Sequence, residues 1–210
     1  VHLLVGSYTV NATITVPASR YIQIVGDGGN TQLAAGGSLT DPILKLLGPS
    51  RATLRNFSML GLGNAQRGIE IDGVDASGNG GRVFGESLVL AANSDSNLYV
   101  NGIDYTTIEM CDFFYGLSPS GHGIDTIGGG AHGASVNVYF GSAGGNLVGV
   151  NQSGSGRTNV MGVWNEVSTL TTNALTITGN GKFSYSGSNM TTNKPNTASL
   201  TNFTGSAAFV

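Results

Sequence analysis

One short phrase recurs along this chain: a strand of the form x-apolar-x-apolar that ends at Gly or Asn. It reads Tyr21-Ile22-Gln23-Ile24-Val25-Gly26, Ile43-Leu44-Lys45-Leu46-Leu47-Gly48 and Gly68-Ile69-Glu70-Ile71-Asp72-Gly73. It returns as Asn97-Leu98-Tyr99-Val100-Asn101-Gly102, Gly123-Ile124-Asp125-Thr126-Ile127-Gly128, Asn146-Leu147-Val148-Gly149-Val150-Asn151 and Ala174-Leu175-Thr176-Ile177-Thr178-Gly179. Successive starts fall about 22 to 29 residues apart, the range of solenoid repeats. A second strand follows inside most units, as in Ala52–Met59, Val83–Val89, Thr107–Phe113, Ser135–Phe140 and Asn159–Trp164. Period-2 alternation rich in Val, Ile, Phe and Tyr specifies strand, and no segment carries a capped 3.6-residue stripe.

A unit of this length cannot bury its apolar face alone. Stacking the units at about 4.8 Å per coil pairs each strand with those above and below. The expected fold is therefore all-β: a right-handed parallel β-helix, or solenoid, of about six to seven coils with an irregular C-terminal cap. Residues 1–173 are assigned to the β-helix and 174–210 to a final coil and cap, because the rhythm weakens through the polar stretch around Lys194-Pro195. Ile22, Leu44, Ile69, Leu98, Ile124 and Leu147 are expected to form one inward ladder. Leu54, Phe84, Ile108 and Val136 are expected on another wall.

Composition agrees with a fold made of corners. The chain has 34 Gly in 210 residues, more than double the usual share of about 7%. Charged residues make up only 10%, so amides and hydroxyls solvate the surface. The net charge of −3 and the lack of a Lys/Arg run argue against nucleic acid as a partner. No stretch of 18 or more apolar residues is long enough to span a membrane as a helix. Cys111 is the single cysteine, so there is no internal disulfide framework. The first residue is Val1 and not Met, and no signal peptide is visible. The expectation is a fragment, a processed form or the ordered part of something longer.

The opening Thr13-Ile14-Thr15-Val16-Pro17-Ala18-Ser19-Arg20-Tyr21-Ile22-Gln23-Ile24-Val25-Gly26-Asp27-Gly28 resembles the first coils of pectate-lyase-like β-helices. The later phrase Tyr105-Thr106-Thr107-Ile108-Glu109-Met110-Cys111-Asp112-Phe113 resembles them as well. Within that superfamily, few charges and a tail rich in Thr and Asn resemble phage tailspikes and other virion-surface β-helices. That resemblance implies a homotrimer on the virion surface, in contact with other virion proteins and a host surface glycan, and in some members glycan cleavage. Fold alone does not fix function.

The outward row of the first strand is expected to hold Gln23, Lys45, Glu70, Tyr99, Asp125, Val148 and Thr176. Glu70 and Asp125 then lie two coils apart, about 9.6 Å. An inverting glycosidase places two carboxyls roughly 6.5–9.5 Å apart with a water between them. Glu70 and Asp125 are thus the candidate catalytic pair, and Tyr99 between them is a flat platform for a sugar. Trp164 is the second candidate carbohydrate-binding residue. The plainer alternative is a solvated face on which Lys45 pairs weakly with Glu70.

Glu86, Glu109 and Asp112, on or near the second strand, form a second carboxylate set, more often a device against sticky association. Gly121-His122-Gly123 resembles the Gly-His-Gly phrase of polygalacturonases, which would make His122 an active-site histidine. That family's Asn-Thr-Asp phrase, Asp-Asp pair and Arg-Ile-Lys phrase have no counterpart here, so His122 is read as a coincidence of a glycine-rich chain, and His132 as a loop residue. Asp72 and Asp75 lack the ordered spacing of a calcium loop, and neither a metal nor a cofactor is expected. The leading expectation is a non-enzymatic virion-surface protein, a tailspike, fibre or capsid-decorating spike that binds glycan. A polysaccharide-cleaving hydrolase or lyase and a purely structural cement protein are the alternatives.

Overall fold

The computed structural model describes residues 1–72, 82–101, 104–114, 121–128, 134–144, 148–154, 157–167, 173–186, 189–192, 198–203 and 206–209. Among them every regular element is a β-strand, and every pairing between strands is parallel. The chain is a parallel β-solenoid, as the repeat requires. Backbone bonds run between successive turns: the Arg51 amide donates to Arg20 O (2.8 Å), Arg82 to Ser50 O (2.8 Å) and His122 to Asp95 O (2.7 Å).

Two sheets make the walls. The eight-stranded sheet stacks Ile14–Val16, Leu44–Leu47, Arg67–Asp72, Ser96–Asn101, His122–Gly128, Val148–Gly154, Asn173–Gly179 and Ala198–Phe203. The twelve-stranded sheet is built around long strands, Arg51–Leu60, Arg82–Ala91, Asp104–Phe114, Ala134–Gly144 and Arg157–Val167. Each long strand serves two sides of the coil. Within Arg51–Leu60, the first half pairs with Tyr21–Gly26 and the second half with Thr31–Ala35.

The bend between the halves has a local cause. Asn56 and Ser87 occupy stacked positions and are both left-handed, with φ of 57° and 52°. Asn tolerates this region best among residues with a side chain, because its amide bonds locally. Gly26 lies under the same corner. A Cβ there would fall against the Asn56 carbonyl oxygen and 2.8 Å from Phe57 Cβ, so the close approach requires glycine.

The core is a set of ladders. Leu44, Ile69, Leu98, Ile124 and Val150 stack in one register row and are fully buried. The neighbouring row begins Leu46, Ile71, Val100 and then changes character to Thr126 and Gln152, which are equally buried. Leu54, Phe57, Met59, Leu88 and Leu90 close the core from the other sheet.

The register corrects three expectations. Ile22 and Gln23 belong to the twelve-stranded sheet, opposite Ala52 and Thr53; Ile14 and Thr15 take their places beside Leu44 and Lys45. Val148 stands beside His122, while Val150 faces Ile124 and Asn151 faces Asp125; Leu147 lies outside the described residues. Phe84 points outward, with the Arg55 guanidinium 5.4 Å from its ring, and the buried residue is its neighbour Val83. Parallel pairing also continues beyond residue 173. Asn173–Gly179 stacks on Val148–Gly154, Lys182–Ser186 on Arg157–Val167, and Ser206–Phe209 on Lys182–Ser186.

Candidate functional site

Alternation puts every second side chain of the eight-stranded sheet outside. Because the register is parallel, those side chains form a straight row. It runs Thr15, Lys45, Glu70, Tyr99, Asp125, Asn151, Thr176. Glu70, Tyr99 and Asp125 therefore come together as the spacing suggested, with Tyr99 on the strand between the two acids.

Around Glu70 the row is a charge network. Lys45 Nζ lies 2.6 Å from Glu70 Oε1, and Arg67 Nη1 binds Glu70 Oε2. Arg67 Nε reaches Asp95 Oδ2 at 3.1 Å. The Arg67 guanidinium carbon also lies 3.6 Å from the centre of the Tyr99 ring, a close cation–π contact. Burial pulls the Arg67 pKa down, but the hydrogen bond and charge of Glu70, with Asp95 and Tyr99, outweigh it and the net displacement is upward. Glu70 is 5% exposed, a degree of burial a carboxylate tolerates only when paired.

Asp125, 6% exposed, is held differently. Asn151 Nδ2 donates to Asp125 Oδ1 at 2.8 Å, and His122 Nδ1 donates to Oδ2 at 3.2 Å. His122 and Asp125 are three residues apart on one strand, so local geometry brings them together. In the tautomer that donates from Nδ1, Nε2 is the free acceptor.

All four carboxylate oxygens of the pair thus carry a protein partner. Each oxygen keeps a second acceptor position beside its protein partner. What remains open is a polar strip with amide, hydroxyl, imidazole and phenol groups and one aromatic ring. Such a strip offers hydrogen-bond donors and acceptors beside an aromatic face.

Trp164 is not on this wall. Its backbone lies in the second half of Arg157–Val167, opposite Ser142 and Asn189 on the twelve-stranded sheet, and its side chain is outside the described residues. Asp75 and His132 are also outside them, as are the side chains of Glu109, Cys111 and Asp112. Glu86 pairs with Arg55 at 3.0 Å across neighbouring strands. Among the described residues, no three His, Cys, Asp or Glu side chains converge as a metal site would need. Arg67, Asp95 and Asn151 are the members of the strip that the repeat alone did not single out. Arg67 was in reach, since it precedes Glu70 by three residues, as His122 precedes Asp125.

No protein-family model matches the chain, and no curated protein matches it. Among solved structures it is similar to ORF18 of Geobacillus virus E2, with a TM-score of 0.53 at 13% sequence identity. The match covers 100% of this chain and 53% of that one, so the chain spans about half the length of that protein. At this identity the likeness is one of fold.

Proposed function

We propose that this chain is part of a phage virion-surface protein, of tailspike, fibre or capsid-decorating type, whose β-solenoid presents a glycan-binding wall to the host. The phage origin of the similar structure supports the setting. The observation that carries the binding reading is the row Glu70–Tyr99–Asp125, an aromatic ring flanked by polar groups already fixed by their own partners. Fixed donors and acceptors lose little conformational entropy on binding, which is what preorganised recognition needs. A homotrimer, a pectate-lyase-like ancestry and an outward placement on the virion belong to the same proposal.

A polysaccharide-cleaving enzyme is the second reading. It is favoured by two carboxylates two strands apart on one wall, about 9.6 Å by strand spacing. Against it stands the burial of both acids, which are only 5% and 6% exposed.

One experiment separates the readings. The purified chain is titrated with lipopolysaccharide and capsular polysaccharide from candidate hosts, and the polysaccharide is then sized by chromatography. Binding that Tyr99→Ala weakens tenfold or more, with chain length unchanged, supports the binding wall. Shortened chains whose production stops in Glu70→Gln or Asp125→Asn would establish the enzyme instead. Affinity that Tyr99→Ala leaves untouched would remove the wall from the proposal, and no binding at all would favour a cement protein.

A further inference from the structure

The first half of the twelve-stranded sheet carries a second outward row, and its charges are arranged differently. Tyr21 faces Arg51, Arg51 faces Arg82, and further along the stack Arg157 faces Lys182. These positions share one row, because Val83 pairs with Thr106, Tyr105 with Ser135, and Ser135 with Arg157. Four of the nine Lys and Arg residues of the chain stand in it, all of them exposed. Tyr21 is 73% exposed, and the Arg51 guanidinium sits 5.3 Å from its ring.

Like charges directly opposite each other weaken a sheet. Elsewhere this protein sets opposite charges across neighbouring strands, Lys45 against Glu70 and Arg55 against Glu86. Here it sets Arg against Arg and Arg against Lys about 4.8 Å apart. Among the described residues, Arg157 and Lys182 form no ion pair. Folding gains nothing from setting Arg157 against Lys182, and an external anion would relieve that pair.

The adjacent outward row is neutral and polar: Gln23 beside Thr53, and Asn137 beside Asn159 beside Ser184. Two depressions lie where the rows run together. One of about 550 Å³ is bordered by Tyr21, Gln23, Arg51, Thr53 and Arg55. The other, about 350 Å³, is bordered by Asn137, Arg157, Asn159, Lys182 and Ser184. Ser184 Oγ donates to Asn159 Oδ1 at 2.6 Å, which fixes that amide beside the two cations.

We propose that this face is a track for an acidic polysaccharide, with carboxylates held at the two cation pairs and sugar hydroxyls held by the amide and hydroxyl row. The cations come as two separated pairs with the uncharged positions Tyr105 and Ser135 between them. A polymer that carries carboxylates together with free hydroxyls on its units fits the cation pairs and the amide and hydroxyl row at once. DNA, with phosphates but almost no free hydroxyls, does not, and the net charge of −3 opposes it. The inference takes its ligand class from the glycan-binding reading above but places that ligand on a different sheet.

The test is affinity electrophoresis and calorimetry of the whole chain with sodium alginate, with dextran as the neutral control and oligo-dT as the competing polyanion. Alginate is expected to bind at low ionic strength and to be released as salt rises. The double variant Arg157→Ala/Lys182→Ala is expected to lose tenfold or more in affinity, while Arg157→Lys retains it. Equal thermal melts of the variants exclude unfolding as the cause, since both side chains are exposed. Absence of alginate binding, equal retention by dextran, tighter binding of oligo-dT, or an unaffected double variant would each overturn the track. Tyr99→Ala separates the two readings: if only that variant loses host-glycan affinity, the wall of the eight-stranded sheet stands and the track falls.

Discussion

The guanidinium of Arg67 lies over the Tyr99 ring, its central carbon 3.6 Å from the ring centre, while its nitrogens hold Glu70 and Asp95. One side chain thus ties together three strand positions and the loop residue before Ser96. It also covers one face of the aromatic ring, so a ligand meets Tyr99 from its opposite face or its edge.

Arg67→Ala should therefore cost stability. It leaves Glu70, 5% exposed, with Lys45 as its one remaining cation. Removing one partner of a well-buried pair costs about 3–5 kcal/mol, and the partial exposure of Asp95 and Lys45 lowers the expectation to about 2 kcal/mol. A fall in the urea midpoint with an unchanged slope is the expected readout. A change within about 0.5 kcal/mol would show that the network contributes no net stability.

The upward displacement of the Arg67 pKa from its ordinary value fixes the sign of its pH dependence. A group whose folded pKa is raised contributes stability that is fully present below its unfolded value and lost as pH rises through the folded value. The Arg67 contribution is therefore constant across neutral pH. The stability difference between the native chain and Arg67→Lys should be flat from pH 6 to 9 in chemical denaturation, and a slope in that interval would contradict the assignment.

Gly26→Ala tests the corner. The new methyl would press on the Asn56 carbonyl oxygen and on Phe57 Cβ, both fixed parts of the next turn. Overpacking of this kind costs about 1–3 kcal/mol, and a corresponding loss in thermal or urea stability is expected. Gly29→Ala, where nothing lies within 4 Å of the added atom, is the control that should change little.

Thr126→Val should stabilise the chain. Thr126 is fully buried, and its hydroxyl has no hydrogen-bond partner among the described residues. Replacing it with a methyl group of similar size removes an unmet desolvation cost of about 1 kcal/mol. A urea midpoint that falls instead would reveal a partner for the hydroxyl.

Much of the wall was legible in the sequence. Lys45, Glu70, Tyr99, Asp125 and Thr176 occupy the outward row that alternation assigns them, because the strands around them have a clear phase. The failures have definite causes. Leu147-Val148-Gly149-Val150 has apolar residues of both parities, so pattern alone does not fix which face is inside, and a slip of one residue reverses every side chain. Val83-Phe84 poses the same ambiguity. Tyr21–Gly26 alternates as cleanly as the strands of the eight-stranded sheet, yet it lies in the other one, since both walls share the same period.

By itself the sequence determined that this chain is a stack of short parallel strands: alternation, spacing and glycine corners are local properties, legible one unit at a time. Only the tertiary structure decided which side chains meet. Arg51 and Arg82, or Arg157 and Lys182, are more than twenty residues apart along the chain and become neighbours because inter-turn hydrogen bonds fix the register. That register depends on how much chain each corner consumes, and corner length follows no period that can be read from the strands.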